Sequence, residues 1–230
     1  MKLQKETKLG AVHGKWYDDA CAAAFAMELI GERWTLPIVR ELMLGARRFS
    51  DIRAELPGLS AKVLTERLER LEEVGVLTRR KLPPPAASRV FELTGWGYEL
   101  EDVMQALGRW SVRSPLHDPN LPLTPVSFML SLRTMLDPAK AGALSATVLF
   151  EVGENAFSGT LEGGQLSIRR AAEGDARPDL AFRAPSASHY LPVFYGKRSA
   201  EEAGVSLEMV GDADLANAFI DLFSLPPKCV

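Results

Sequence analysis

Between Ser114 and Pro125 the chain reads SPLHDPNLPLTP, four prolines in twelve residues. Each proline removes a backbone donor and biases the residue before it away from helix, so no regular element runs through this stretch. It divides the 230 residues into two parts of different pattern, a length that accommodates two ordinary domains. We read residues 1–115 as one domain, 116–125 as a linker and 126–230 as a second domain.

Before the joint the pattern is helical. YDDACAAAFAMELIG offers Asp18 or Asp19 near a helix start and Gly31 as a stop. RWTLPIVRELMLG follows, apolar at Leu36, Val39, Leu42 and Met43, with Pro37 tolerated in its first turn. RFSDIRAEL is short, with Ser50 as a cap and Ile52 and Leu56 inward. In LPGLSAKVLTERLERLEEVGVLTRR, Ser60 caps a helix to about Val74 with Leu64, Leu68 and Leu71 on one stripe, and Gly75 ends it. VLTRRKL and SRVFELT alternate as two strands joined across PPPAA, and GYELEDVMQALGRWSV closes the half as a helix. This is the element order of a mainly α winged helix-turn-helix.

The chain is acidic overall, net −3, yet residues 44–89 hold ten Lys and Arg against six Asp and Glu. A polyanion responds to that local balance. On the helix from Ser60, Lys62 and Thr65 are placed for base contact, Glu66 to accept from a cytosine amine, and Arg67 or Arg70 for phosphate. Arg47, Arg48, Arg79, Arg80, Lys81 and Arg89 lie on the preceding turn and the hairpin, where they suit phosphate or minor-groove contact. The alternative is a solvated helix face, the reading favoured for Glu69, Glu72 and Glu73. Order and clustering together favour double-stranded DNA.

Residues from about Cys21 to Trp110 resemble the HxlR-type family of bacterial winged-helix transcription regulators, through Cys21, LIGERWTLPIVREL, GARRFSDI, LSAKVLTERLERLEEVGVLTR, FELT and Trp110. The resemblance implies a homodimer formed by the helix bearing Tyr17, Ala20, Ala24 and Phe25 and the helix bearing Met104, Leu107 and Trp110. It also matches Cys21 to a cysteine that senses oxidants or electrophiles in some members. Asp18 and Asp19 next door oppose a thiolate, so an inert, packed Cys21 stands as the alternative.

After the joint, TPVSFMLSLRTML is an amphipathic helix, and SATVLFEV, AFSGTLEG, QLSIRRA, DLAFRA and VSLEMVG read as strands, with EGG as a hairpin turn. PSASHYLPVFYGKRS and DADLANAFIDLF read as helical, which makes this half α+β, one sheet covered by helices. GTLEGGQLSIRR, PDLAFRAPSASHYLPVFYGK and LEMVGDADLANAFIDLF resemble the sterol-carrier-protein-type (SCP2-like) lipid-binding domain. That likeness implies an apolar tunnel for a hydrophobic or lipid-like small molecule, around which we place Phe128, Leu132, Tyr190, Phe194, Phe219 and Phe223. The alternative is that these side chains fill a core.

No Gly-rich phosphate loop, nucleophile elbow or zinc spacing occurs, and the three histidines are scattered. No metal, cofactor or catalytic group is expected, and the chain is not read as an enzyme. The longest apolar run, ACAAAFAM, is far short of a span and no signal core follows the N-terminus, so the expectation is cytoplasmic with no membrane partner. The leading expectation is a dimeric, operator-binding transcription regulator responsive to a hydrophobic effector. A carrier of hydrophobic molecules whose first domain only dimerises it is the rival.

Overall fold

The computed structural model of the chain describes residues 19–81, 88–142 and 144–229. The first half opens with α1 (Ala22–Ile30), α2 (Thr35–Leu42), α3 (Phe49–Glu55) and α4 (Ala61–Glu73). The antiparallel strands β1 (Leu77–Lys81) and β2 (Arg89–Leu93) pair with Leu77 opposite Leu93 and Lys81 opposite Arg89. A one-turn α5 (Gly95–Tyr98) leads into α6 (Leu100–Ser111). Arg47 adds a bridge to the hairpin: its N–H donates to the Phe91 carbonyl at 2.9 Å and Phe91 returns the bond at 2.8 Å. The PPPAA tip of the hairpin lies outside the described residues.

Local chemistry explains the helix-turn-helix. Ser60 Oγ accepts from the Val63 N–H at 3.2 Å, taking one of the unpaired donors at the start of α4. Gly58, at φ +88°, makes the turn before it, and Gly75, at φ +78°, makes the turn after it; both values favour a residue without Cβ. Ile52, Leu64, Leu68 and Leu71 point into one core with Ile38, Val39 and Leu42 of α2.

The second half begins with α7 (Pro125–Met135) and α8 (Pro138–Ala141). Strands β3 (Ala146–Val152), β4 (Asn155–Glu162), β5 (Gln165–Arg170), β6 (Leu180–Ala184) and β7 (Glu208–Gly211) form a mixed sheet in the order β5-β4-β3-β6-β7. Only the β3–β6 pair is parallel. Between β6 and β7 come a 3₁₀ turn (Ala187–His189) and the one-turn helices α9 (Leu191–Phe194) and α10 (Ala200–Ala203); α11 (Ala213–Ile220) ends the fold. PSASHYLPVFYGKRS thus makes two short turns where a helix was expected. Pro192 and Gly196 interrupt it, and the buried Tyr190 anchors it by donating its hydroxyl toward the Glu151 and Phe182 carbonyls at 2.7 and 2.8 Å.

The proline-rich joint is a loop, and the two halves it connects pack against each other. Helix α7 packs against α2 and α6 as well as β5, and one apolar cluster runs through both halves. That is why Val126, Phe128, Met129, Leu130 and Leu132 are all buried, around most of the helix circumference. Glu101 of α6 pairs with Arg133 of α7 at 3.0 Å. The C-terminal tail also returns to the first half: Lys228 Nζ donates to the carbonyls of Val112, Ser114 and His117 at 2.9, 3.0 and 3.3 Å.

Candidate nucleic-acid interface

Among the described residues, helix α4 shows its polar side to solvent. Lys62, Thr65, Glu66 and Glu69 are exposed, opposite the buried Leu64, Leu68 and Leu71. Lys62 is the most available, its side chain 86% exposed and only loosely paired with Glu66 at 3.9 Å. An exposed pair of this kind contributes roughly 0–1 kcal/mol, so a phosphate or base edge can replace it. Thr65 Oγ1 donates back to the Ala61 carbonyl at 3.0 Å. Thr65 remains exposed on the outer face.

The two arginines of α4 do not share that face. Arg67 is 22% exposed, pairs with Glu32 and donates from Nε to the Arg33 carbonyl at 3.3 Å, clamping the α1–α2 turn to α4. Arg70 is 14% exposed, 3.7 Å from Glu73. Both therefore brace the helix. Arg47 turns inward too, at 14% exposure and 3.9 Å from Glu55. Arg47 and Arg48 occupy successive positions of an extended stretch, so they point to opposite sides; Arg48 is exposed.

On the hairpin, Arg79 lies over the Phe91 ring and pairs with Glu72 at 2.8 Å and Glu69 at 4.0 Å. Arg80 pairs with Glu92 at 2.8 Å. Arg48, Lys81 and Arg89 are exposed and make no ion pair with another described residue. The arrangement is an exposed helix face, Ser60 at the helix start and Lys62 highly exposed on it, with further cations on the Arg48 turn and the hairpin. A single helix fits the width of a major groove, about 12 Å.

Cys21 is the N-cap of α1, exposed and in no disulfide. The N–H groups of Ala24 and Ala23 hold its thiol below the ordinary cysteine value, as at other helix starts. Asp19 takes the Cys21 N–H at 2.9 Å, while Asp18 lies outside the described residues. In the second half, Phe128, Leu132, Tyr190, Phe194, Phe219 and Phe223 are all fully buried. Phe128–Tyr190, Phe219–Phe223 and Phe194–Phe223 ring centroids stand 4.8, 5.2 and 5.9 Å apart. These side chains fill the space between sheet and helices by contact with one another, instead of bordering an open tunnel.

Pattern reading missed Glu41, which is wholly buried on α2. Its Oε1 accepts from Arg40 Nε at 3.0 Å and from Thr124 Oγ1, across the joint, at 2.7 Å. Burial raises its pKa above the ordinary carboxylate value, and Arg40 and Thr124 oppose the shift. A Glu among VRELML was the available signal.

Residues 29–116 match a family model described as HxlR-like helix-turn-helix. YvaP, an uncharacterised HTH-type transcriptional regulator of Bacillus subtilis (strain 168), is 37% identical over 86 residues, 37% of this chain and 80% of that protein. YodB, an HTH-type transcriptional regulator of the same strain, is 36% identical over 86 residues, 37% of this chain and 77% of that protein. The solved structure of the reduced form of YodB from B. subtilis covers 44% of this chain and all of its own, at 32% identity and a TM-score of 0.40.

Proposed function

Since the chain belongs to the HxlR-like helix-turn-helix family through residues 29–116, we propose that it is a dimeric transcription regulator that reads a pseudo-palindromic operator with α4. The observation that carries this reading is the solvent-facing side of α4, left open by the described residues of the second half. Lys62 and Thr65 contact bases, Glu66 selects a cytosine amine, and Arg48, Lys81, Arg89 and the exchangeable Arg79 and Arg80 hold phosphates.

An apolar stripe supports the dimer. Val103, Leu107 and Trp110 stand at i, i+4 and i+7 of α6, and Trp110 is 75% exposed. Exposed Phe25 and Met27 of α1 and Trp96 of α5 extend the apolar surface, and an apolar depression lined by Ala26, Leu29, Ile30, Trp96, Leu100 and Val103 opens there. A patch of this kind on an otherwise polar exterior marks a protein contact, and a second copy supplies the matching patch by two-fold symmetry.

The second half carries the response to a hydrophobic effector in this proposal, in keeping with its likeness to SCP2-like domains. Such a molecule enters by parting the Phe194, Phe219 and Phe223 rings. The closed packing of those rings favours the regulator over a constitutively loaded carrier. Cys21, exposed and with its thiol pKa lowered by the N–H groups of Ala24 and Ala23, is a candidate point of oxidant response. We test the reading by footprinting the DNA upstream of the gene with the full chain and with Leu107→Asp. The wild type protects two half-sites about one helical turn apart, and the variant, held monomeric, loses the footprint. Absence of a footprint in the wild type would refute the regulator.

A further inference from the structure

Helix α1 carries the exposed Phe25 and Met27 of the proposed dimer face, yet of its nine residues only Ile30 is buried among the described residues. Helix α2 is anchored in the core by Ile38, Val39 and Leu42, and α4 by Leu64, Leu68 and Leu71. How the outlying α1 sits on the helix-turn-helix therefore depends on the corner between α1 and α2, residues 31–34. Its last residue, Trp34, has φ +78°, a left-handed conformation that bulky side chains seldom adopt and that lasts only where the surroundings fix it. Those surroundings come from the helix-turn-helix. The indole carbons Cζ2 and Cη2 lie 4.0 Å from where a Cβ on Gly58 would stand, in the turn before α4. Arg67 of α4 spans the corner: its Nη2 pairs with Glu32, and its Nε donates to the Arg33 carbonyl at 3.3 Å. The Arg33 guanidinium in turn stands 5.3 Å from the Trp34 ring centroid. Two successive corner residues are thus held by one guanidinium, whose planar fork can bond both at once.

We propose that Arg67 fixes the angle between the dimer-forming α1 and the reading helix α4, and through it the half-site separation that the dimer accepts. A helix of nine residues is about 13 Å long, so a swing of about 15° at the corner moves its far end by about 3.4 Å, the rise of one base pair. Two-fold symmetry repeats that swing in the second copy. A corner left loose would let the two α4 helices settle at several separations; a corner clamped by Arg67 holds them at one. Arg67 acts through the corner and touches no DNA, so it is a positioning residue.

The clamp rests on the regulator reading, and its test separates the two. In the full chain, Arg67→Met keeps an apolar stem and removes the fork. Binding is measured on the footprinted operator with its half-sites at the natural separation, one base pair farther apart and one base pair closer, and on a duplex with a single half-site. The wild type should prefer the natural separation by about tenfold or more. In Arg67→Met that preference should shrink to about threefold or less, while affinity for the single half-site stays within about twofold of the wild type. The slope of log affinity against log salt should stay unchanged, because no phosphate contact is lost. Amide exchange over residues 31–35 should quicken. Glu32→Gln, at the exposed partner, should shift the spacing profile the same way and add little when combined with Arg67→Met. Should Arg67→Met fail to fold, Glu32→Gln carries the test on the same duplexes. A wild-type spacing profile in the folded variant would overturn the clamp. So would an equal loss on the single half-site and on every separation, which would make Arg67 only a brace for α4, and so would a flattened salt slope, which would make it a phosphate contact. If the wild-type chain binds no DNA, the regulator reading fails, and the clamp is then decided by exchange: unchanged rates at residues 31–35 in Arg67→Met would overturn it too.

Discussion

The outer face of α4 and the seam under α2 use the same residue types in opposite settings. On α4, Lys62 and Glu66 stand in water 3.9 Å apart and are free to exchange partners. In the seam where the two halves meet, Glu41 is wholly buried between Arg40 and Thr124, and its Oε2 has no hydrogen-bond partner among the described residues. Charge on the first surface costs little to rearrange; charge in the second is held in place by the fold and costs much to disturb. On the regulator reading, recognition falls to the first, and the second joins the two halves.

The largest effect should come from behind the reading face. Leu68→Ala removes a side chain that is 1% exposed and should lower unfolding free energy by about 2–5 kcal/mol in denaturant titration. Next is the seam. Thr124→Val deprives the Glu41 carboxylate of a 2.7 Å donor and also removes the cap that accepts the Ser127 N–H, so about 1–3 kcal/mol should be lost. If Thr124→Val proved silent, the distinction between the two surfaces would collapse.

A smaller, pH-dependent effect sharpens the comparison. Burial places Glu41's folded pKa above its unfolded value. Its contribution to stability is therefore fully present below the ordinary carboxylate value and is lost as pH rises through the raised one. Glu41→Gln mimics the neutral form, so the variant should gain on the wild type with rising pH in paired urea titrations. A gap that is flat in pH would mean the carboxylate carries no such penalty.

The sequence disclosed the two surfaces unequally. Ser60, the Leu64, Leu68 and Leu71 stripe and Gly75 are local signals, and they lie where their spacing puts them. The cation set was legible as composition but not as direction. Arg67 is drawn back by Glu32, and Arg70 and Arg47 turn away from solvent. Helix α7 read as amphipathic because its pattern does not reveal that a sheet and two helices will cover it from different sides. Likewise, Glu41 belongs to a surface that exists only after the two halves dock. The aromatic residues of the second half meet in one region, but side-chain identity alone does not distinguish a filled core from a lined tunnel.

Selection of binding sites from random duplexes, run side by side for the wild type and Lys62→Ala, tests the central claim most directly. If α4 reads the operator, Lys62→Ala loses preference at one base pair in each half-site, worth about 1–3 kcal/mol of discrimination, and keeps its thermal stability. The same preferred sequence with the same affinity in both proteins would contradict the assignment of α4 as the reading helix.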